Sequence, residues 1–264
     1  MPLRLTQCSK SLHLLTMTCA EALDTPPPLA ELCAAGPVTL FLDFDGTLVE
    51  IAQTPDGISV SDNLVSGLEA LSARLSGRLA LVSGRSLEDL ARHLGDGLRV
   101  AKAGSHGAAR ELADGSALGD LPHGLPQIVI EQLDQFAEQN DLRYEAKTHG
   151  GALHSRENPE KGEAALTFAK SLAEQHQLAI KTGKCVVELV HKGADKGSAV
   201  QAFMQESPFA GSSPIFLGDD VTDEDGFAAS VELGGFGILI GHKRETRASF
   251  ALASVSETHQ WLGL

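Results

Sequence analysis

Apolar residues along this chain fall into short continuous runs that alternate with stretches of helical spacing. Val38–Leu42 is a run of β-formers, the pattern of a parallel strand covered on both faces. Leu64, Leu68, Leu71 and Leu75 then recur at helical intervals and predict a helix packed by one face. Leu79–Val82 reads as a second buried strand. Ser86 predicts a helix cap, with Asp89 standing where a capping box usually carries Glu. Arg99–Ala103 reads as a third strand. Strand alternating with helix in this way predicts a parallel, doubly wound α/β sheet.

The rhythm changes between residues 118 and 190. Helices over Ile128–Asn140 and Gly162–His176 are interleaved with strands over Leu142–Ala146, Ala152–Arg156, Leu178–Lys181 and Cys185–Val190. Tight connections at Thr148–Gly151 and Thr182–Lys184 predict hairpins. The stretch therefore reads as a small α+β unit with an antiparallel sheet, inserted into the core as a cap. The core rhythm resumes with a helix from Lys196 and a strand over Pro214–Leu217, and Gly237–Ile240 is predicted as the last strand. The expected organisation is a core over residues 37–117 and 191–264, a cap over 118–190, and a flexible extension over 1–36. In that extension Thr25–Pro28 has the composition of a linker. Leu12–Ala20, preceded by Arg4 and Lys10, is too diluted by Ser, His and Thr to predict a cleaved leader, and Met17 offers a second start.

Composition narrows the function. The apolar share of 42% is enough for a sizeable core. A net charge of -14 argues against nucleic acid and anionic membranes as partners. Cys8, Cys19, Cys33 and Cys185 include no C-x-x-C pair, which argues against a disulfide framework or a zinc site and fits a reducing compartment. No apolar run approaches the roughly 20 residues that span a bilayer. The expectation is a cytoplasmic monomer acting on a small molecule.

The candidate chemistry sits where predicted strands end. Val38–Leu42 runs into Asp43 and Asp45, followed by Gly46 and Thr47; Pro214–Leu217 runs into Gly218, Asp219 and Asp220. Solvated turn residues would also account for the first of these. Helix capping by Thr222 and a favourable first-turn dipole would account for Asp223, Glu224 and Asp225. Neither covers Asp219 and Asp220 so easily. Carboxylates gathered from two strand ends would repel one another, and a hard divalent cation such as Mg²⁺ would resolve this. Lys196 stands at the start of a helix, where a cation opposes the macrodipole unless it faces an anion. Ser83 offers a hydroxyl at another strand end, and main-chain N–H groups after Gly84 offer further donors to a phosphate. The set describes a phosphoryl-transfer site without a P-loop.

Asp43-Phe44-Asp45-Gly46-Thr47, Ser83, Lys196 and Gly218-Asp219-Asp220 together resemble the four motifs of the haloacid dehalogenase-like phosphatase superfamily. Within it the chain is similar to the trehalose-6-phosphate phosphatase family. The likeness lies in Val82–Arg85, Ala103–Gly107, Ala152–Arg156, Gly183–Glu188 and Phe216–Glu224. It covers the chain from about Val38 onward. It implies a Rossmann-like doubly wound parallel α/β core with an inserted α+β cap, Mg²⁺ as cofactor, and trehalose 6-phosphate as substrate. Asp43 would be the nucleophile and Asp45 the acid and base. Asp43, the Asp45 carbonyl and Asp219 would hold the metal. Ser83 and Lys196 would hold the phosphate, with Thr47, Asp220 and Asp223 in support.

Sugar recognition is implied for Glu188 from the cap, where a charged residue interrupts an apolar run. Gly84, Arg85, His106, Gly107, Arg110, Lys147, His154, Arg156 and Lys184 are further expected sugar or phosphate contacts. The chain departs from the family in two places. Ala108–Arg110 stand where a Glu is common, so that Glu111 either substitutes or one contact is lost. Leu189–Lys192 also differ from the usual basic residue and proline. The alternatives are a phosphatase of another sugar phosphate, such as sucrose phosphate or a glucosyl-polyol phosphate, a non-catalytic sugar-phosphate sensor, and a phosphomutase.

Overall fold

The computed structural model describes residues 23–52, 57–61, 63–119, 124–147, 149–183, 185–193 and 195–264. Helix α1 (Leu29–Ala35) precedes strand β1 (Val38–Leu42). Helix α2 (Leu64–Arg74) leads to β2 (Leu79–Val82), α3 (Leu87–Leu94) leads to β3 (Ala101–Gly104), and the short β4 (Ala109–Glu111) turns back beside β3. Next come α4 (Gln127–Asn140), β5 (Arg143–Lys147), β6 (Gly150–His154), α5 (Gly162–His176), β7 (Leu178–Gly183) and β8 (Val186–His191). The chain ends with α6 (Lys196–Phe203), β9 (Ser213–Gly218), α7 (Glu224–Glu232), β10 (Phe236–Ile240), β11 (Phe250–Leu252) and α8 (Val255–Leu262).

Among the described residues the strands form two sheets. The larger has the order β11-β10-β9-β1-β2-β3-β4, parallel except for β4. Its two faces follow from the alternation of side chains along each strand. Leu40, Leu42, Leu79, Leu81, Leu217 and Ile238 pack on one side with Leu68 of α2 and Leu90 of α3. Phe41, Val82, Phe216 and Leu239 pack on the other with Phe203 of α6 and Phe227 of α7. Each fully buried side chain of this size contributes about 1.5–3 kcal/mol. That is why the strands read as continuous apolar runs.

The smaller sheet is antiparallel, in the order β5-β6-β8-β7. Helices α4 and α5 cover one face: Val129, Leu133, Ala169 and Leu172 pack against Leu153, Val187 and Leu189. The opposite face carries Arg143, Glu145, Lys147, Glu188 and Lys181 among small and apolar residues such as Ala152 and Val190.

Three local expectations need correction, and one strand, β4, was not foreseen. Gly237–Ile240 is not the last strand, because β11 pairs parallel to β10 through Ile238 and Phe250. β11 is three residues long, too short for a pattern. β4 has no apolar alternation and is held by Ala103 and Gly104 opposite it. Part of the stretch read as a flexible extension forms α1: Leu29 is buried, and Trp261 Nε1 donates to the Pro27 carbonyl at 2.9 Å. Ser86 does cap α3, accepting from the Asp89 N–H at 3.1 Å, but the Asp89 carboxylate turns to Arg85 and Arg92.

Candidate active site

The chain leaves β1 toward β2 on one side and returns through β9 on the other, so the sheet order reverses between β1 and β9. Open α/β sheets build ligand crevices at the carboxyl ends of strands at such a point. Asp43 follows β1 and donates its N–H to the Leu217 carbonyl at 2.9 Å, which sets it beside Gly218 and Asp219. Gly46 has φ +79°, and a methyl group there would clash with the Asp219 carboxylate. Only glycine allows this turn to lie so close to the second strand end.

Lys196 is buried at the first position of α6, held there by Asp195, whose carboxylate accepts from Ser198 N–H at 2.7 Å. Its ammonium donates to Asp43 Oδ1 and to Asp223 Oδ1, both at 2.6 Å. Burial pushes the Lys196 pKa down, but the two carboxylates outweigh it and hold the group above the ordinary lysine value. Burial raises Asp43 well above the usual carboxylate range; Lys196 pulls it back, and Asp223 and Asp219 add to the rise. Burial, with Asp223 and Asp220 nearby, raises Asp219 to about 6. One lysine thus faces more negative charge than it neutralises.

Asp43, Asp219 and Asp223 each offer a carboxylate oxygen within 4.8 Å of the others. An all-oxygen donor set with surplus negative charge fits a hard divalent cation. Asp223 is fully buried and does two jobs: one oxygen accepts from Lys196, and the other caps the turn by accepting the Asp220 N–H at 2.9 Å. Thr222 is not the cap: the Asp220 carboxylate accepts from Val221 N–H at 2.6 Å and fills that position. The Asp45 side chain is turned to Arg85, whose Nε and Nη2 reach its two oxygens at 2.7 Å each. Arg85 is held in turn by Asp89 at 2.6 Å, and its N–H donates to Ser83 Oγ at 3.1 Å. Thr47 Oγ1 is buried without a hydrogen-bond partner.

The polar face of the smaller sheet lies over this site. Glu145, Ala152, Glu188 and Lys181 stand side by side across its strands. A cleft of about 880 Å³ is lined by Asp43, Asp45, Arg85, His106, Lys196 and Asp219 below, and by Glu145 and Lys147 above. A smaller recess continues from it between Gly84 and His106 on one side and Lys147 and Glu188 on the other. Lys147 Nζ donates to Glu188 Oε2 at 2.8 Å. His106 packs on Gly84, where an added methyl would meet its ring at 2.8 Å. Burial, with Lys181, Lys196 and Lys147 nearby, lowers His106 to about 3, so its imidazole is neutral. Burial likewise lowers Lys181 to about 8.

Several expected contacts are placed elsewhere. Arg110 donates to the Gly107 carbonyl at 2.9 Å and to Ser198 Oγ at 3.2 Å, so it ties the His106 turn to α6. Gly107 packs on the Asp195 carbonyl and not in the cleft. His154 Nε2 lies 2.6 Å from Glu145 Oε2. Arg156 is exposed beyond the end of β6. Glu111 pairs with Lys102 at 3.1 Å on the far edge of the larger sheet and does not stand in for the missing glutamate. Lys184 lies outside the described residues. Glu145 and Lys181 were missed from the sequence, although Arg143 and Glu145 alternate along the strand predicted over Leu142–Ala146, with Lys147 next in step just beyond it.

The fold is that of haloacid dehalogenase-like hydrolases. A solved hydrolase of that kind from Bacteroides thetaiotaomicron superposes with a TM-score of 0.64 at 16% identity, covering 85% of this chain and 97% of its own. The C-terminal domain of Candida albicans trehalose-6-phosphate phosphatase superposes with a TM-score of 0.74 at 22% identity, covering 93% of this chain and all of its own. The sequence narrows the class further. Residues 41–256 match the trehalose-phosphatase family model. Trehalose-6-phosphate phosphatase of Escherichia coli is 42% identical over 225 residues, 84% of each chain. The chain belongs to the trehalose-phosphatase family. No helix among the described residues is long and apolar enough to cross a membrane.

Proposed function

We propose that the chain hydrolyses trehalose 6-phosphate to trehalose and phosphate through a phosphoenzyme on Asp43. The observation that carries this reading is the facing of two surfaces. Asp43 and Lys196, with buried Asp223 behind them, line one side of the cleft; Glu145 and Lys147 line the other, with Glu188 in the recess that continues from it and Lys181 next in the same row. The first suits a phosphoryl group. The second offers carboxylates that accept from hydroxyls and cations that donate to them, as an uncharged disaccharide requires. The name of the Escherichia coli relative supports the choice of sugar.

In this reading the free oxygen of Asp43 attacks phosphorus, and the bond from phosphorus to the sugar oxygen breaks. Asp45, with one oxygen turned from Arg85 toward the leaving group, gives its proton to the sugar oxygen, then takes one from the water that attacks the aspartyl-phosphate and restores Asp43. Ser83 and Lys196 hold the phosphoryl oxygens, Asp220 and Asp223 support the metal and the lysine from behind, and the Thr47 hydroxyl joins the same network. Asp43, Asp219 and the Asp45 carbonyl would hold Mg²⁺, which supplies positive charge to the transferring group when bound. Residues 118–190 act as the cap, closing on 37–117 and 191–264 to exclude water.

Arg85 belongs to the acid rather than to the sugar, because its two carboxylate bonds fix Asp45. Arg85→Lys keeps the charge but loses the paired geometry. Its kcat should fall about tenfold to a hundredfold with KM little changed, as steady-state kinetics would show; a rise in KM alone would return Arg85 to the substrate. Glu188→Gln should raise KM for trehalose 6-phosphate about tenfold and leave KM for a small phosphate ester unaltered.

The deciding assay is phosphate release from trehalose 6-phosphate, sucrose 6-phosphate and glucose 6-phosphate, each with Mg²⁺ or EDTA. The expected result is EDTA-sensitive release with strong preference for the first. Equal turnover of all three would discard the reading of the polar sheet face. No release from any would favour a sensor.

A further inference from the structure

The loop between β10 and β11 carries His242, Lys243, Arg244 and Arg247. Arg244 reaches from it to the segment that follows β9. Its Nη2 donates to the Asp220 carbonyl at 2.6 Å, and its Nη1 pairs with the Glu224 carboxylate and donates to the Glu245 carbonyl at 3.1 Å. The other Glu224 oxygen accepts the Arg247 N–H at 2.7 Å. Glu224 and Arg244 therefore lock the loop and the Asp219–Glu224 segment together. From the opposite side, Asp223 Oδ2 accepts the Asp220 N–H at 2.9 Å. Asp220 is thus held at both its N–H and its carbonyl, by residues from two separate parts of the chain.

The peptide between Asp219 and Asp220 cannot rotate without breaking the Asp223 bond, and the next peptide cannot rotate without breaking the Arg244 bond. Both side chains of the Arg244–Glu224 pair are mostly buried, at 23% and 20% exposure. Such a charge-assisted, multiply bonded pair is geometrically stricter than a loose surface ion pair. Glu224 also neutralises Arg244, so the guanidinium brings order to an acidic turn without setting a free positive charge against a cation.

We propose that Arg244 is a positioning residue, braced by Glu224, which presets the Asp219 carboxylate for a divalent cation. The proposal rests on the reading of Asp43 and Asp219, with the Asp45 carbonyl, as a cation site. Residues that orient metal ligands typically alter affinity tenfold to a hundredfold when removed.

The test uses full-length protein stripped with EDTA and titrated with Mn²⁺, read by the loss of the free-ion EPR signal, with thermal melting in EDTA alongside. Arg244→Ala should weaken Mn²⁺ binding about tenfold or more, and Arg244→Lys should recover part of that loss, since one ammonium reaches the Asp220 carbonyl or Glu224 but not both. Glu224→Gln should weaken binding in the same sense and serves if Arg244→Ala does not fold. Wild-type binding with unchanged affinity in Arg244→Lys and Glu224→Gln would overturn the brace. A fall in melting temperature without a change in affinity would overturn it too, by assigning the pair to stability alone. Wild-type protein that binds no Mn²⁺ would instead overturn the cation site beneath it.

Discussion

Asp43→Asn is expected to lower phosphate release by about a thousandfold or more without lowering the melting temperature of the EDTA-treated protein. An amide keeps the shape of the carboxyl but cannot form the acyl phosphate. Stability should hold because Asp43 is buried 2.6 Å from a lysine that it shares with Asp223. Its folded pKa lies above the ordinary value, chiefly through burial. A carboxyl shifted in that direction binds its proton more tightly folded than unfolded. Its charged form therefore opposes folding at neutral pH, and the metal-free protein gains stability as pH falls through the folded pKa. Asn imitates the protonated acid and should flatten that dependence. Turnover above about a thousandth of wild type would remove Asp43 as nucleophile; a large loss of melting temperature would show that its charge stabilises the fold.

Lys196→Met should have the largest effect on stability. The substitution leaves Asp43 and Asp223 buried with no cation between them. Removing one partner of a buried ion pair costs about 3–5 kcal/mol, measurable as a shift of the denaturation midpoint. The loss should shrink at mildly acidic pH, where the stranded carboxyls take up protons, and should be partly restored in Lys196→Met/Asp43→Asn. Additive effects of the two substitutions would refute the coupling. Activity should be lost with the lysine if, as proposed, the same ammonium serves the phosphoryl oxygens. Aspartate and lysine are costly to bury separately, and the site is stable because it buries them together.

The core strands and their helices were legible because each is covered on both faces or along one stripe, and that burial writes a local period into the sequence. The ends of β1 and β9 were legible for a related reason: Asp43 and Asp219 break apolar runs where nothing in strand packing requires a carboxylate. Elements stabilised mainly by neighbours left no such trace. β4 and β11 exist because an open sheet edge accepts them, and α1 because Leu29 and the Pro27 carbonyl find partners some two hundred residues away, Trp261 among them.

The site divides along the same line. Residue type and position at a strand end or helix start singled out Asp43, Asp45, Ser83, Lys196 and Asp219; Asp223 entered only through the family resemblance. Their pairing did not follow from either. Arg85 was expected at the sugar or phosphate and lies on Asp45; Asp223 could have been an ordinary first-turn acid and is the second anion on Lys196; Arg110 ties the His106 turn to α6. Glu145 and Lys181 join Glu188 only because antiparallel register sets them in one row. Chemistry that depends on a group's identity can be read from the chain, because identity and local period are one-dimensional. Which charge meets which depends on distances of a few ångströms between segments far apart in sequence, and only the packed fold determines those.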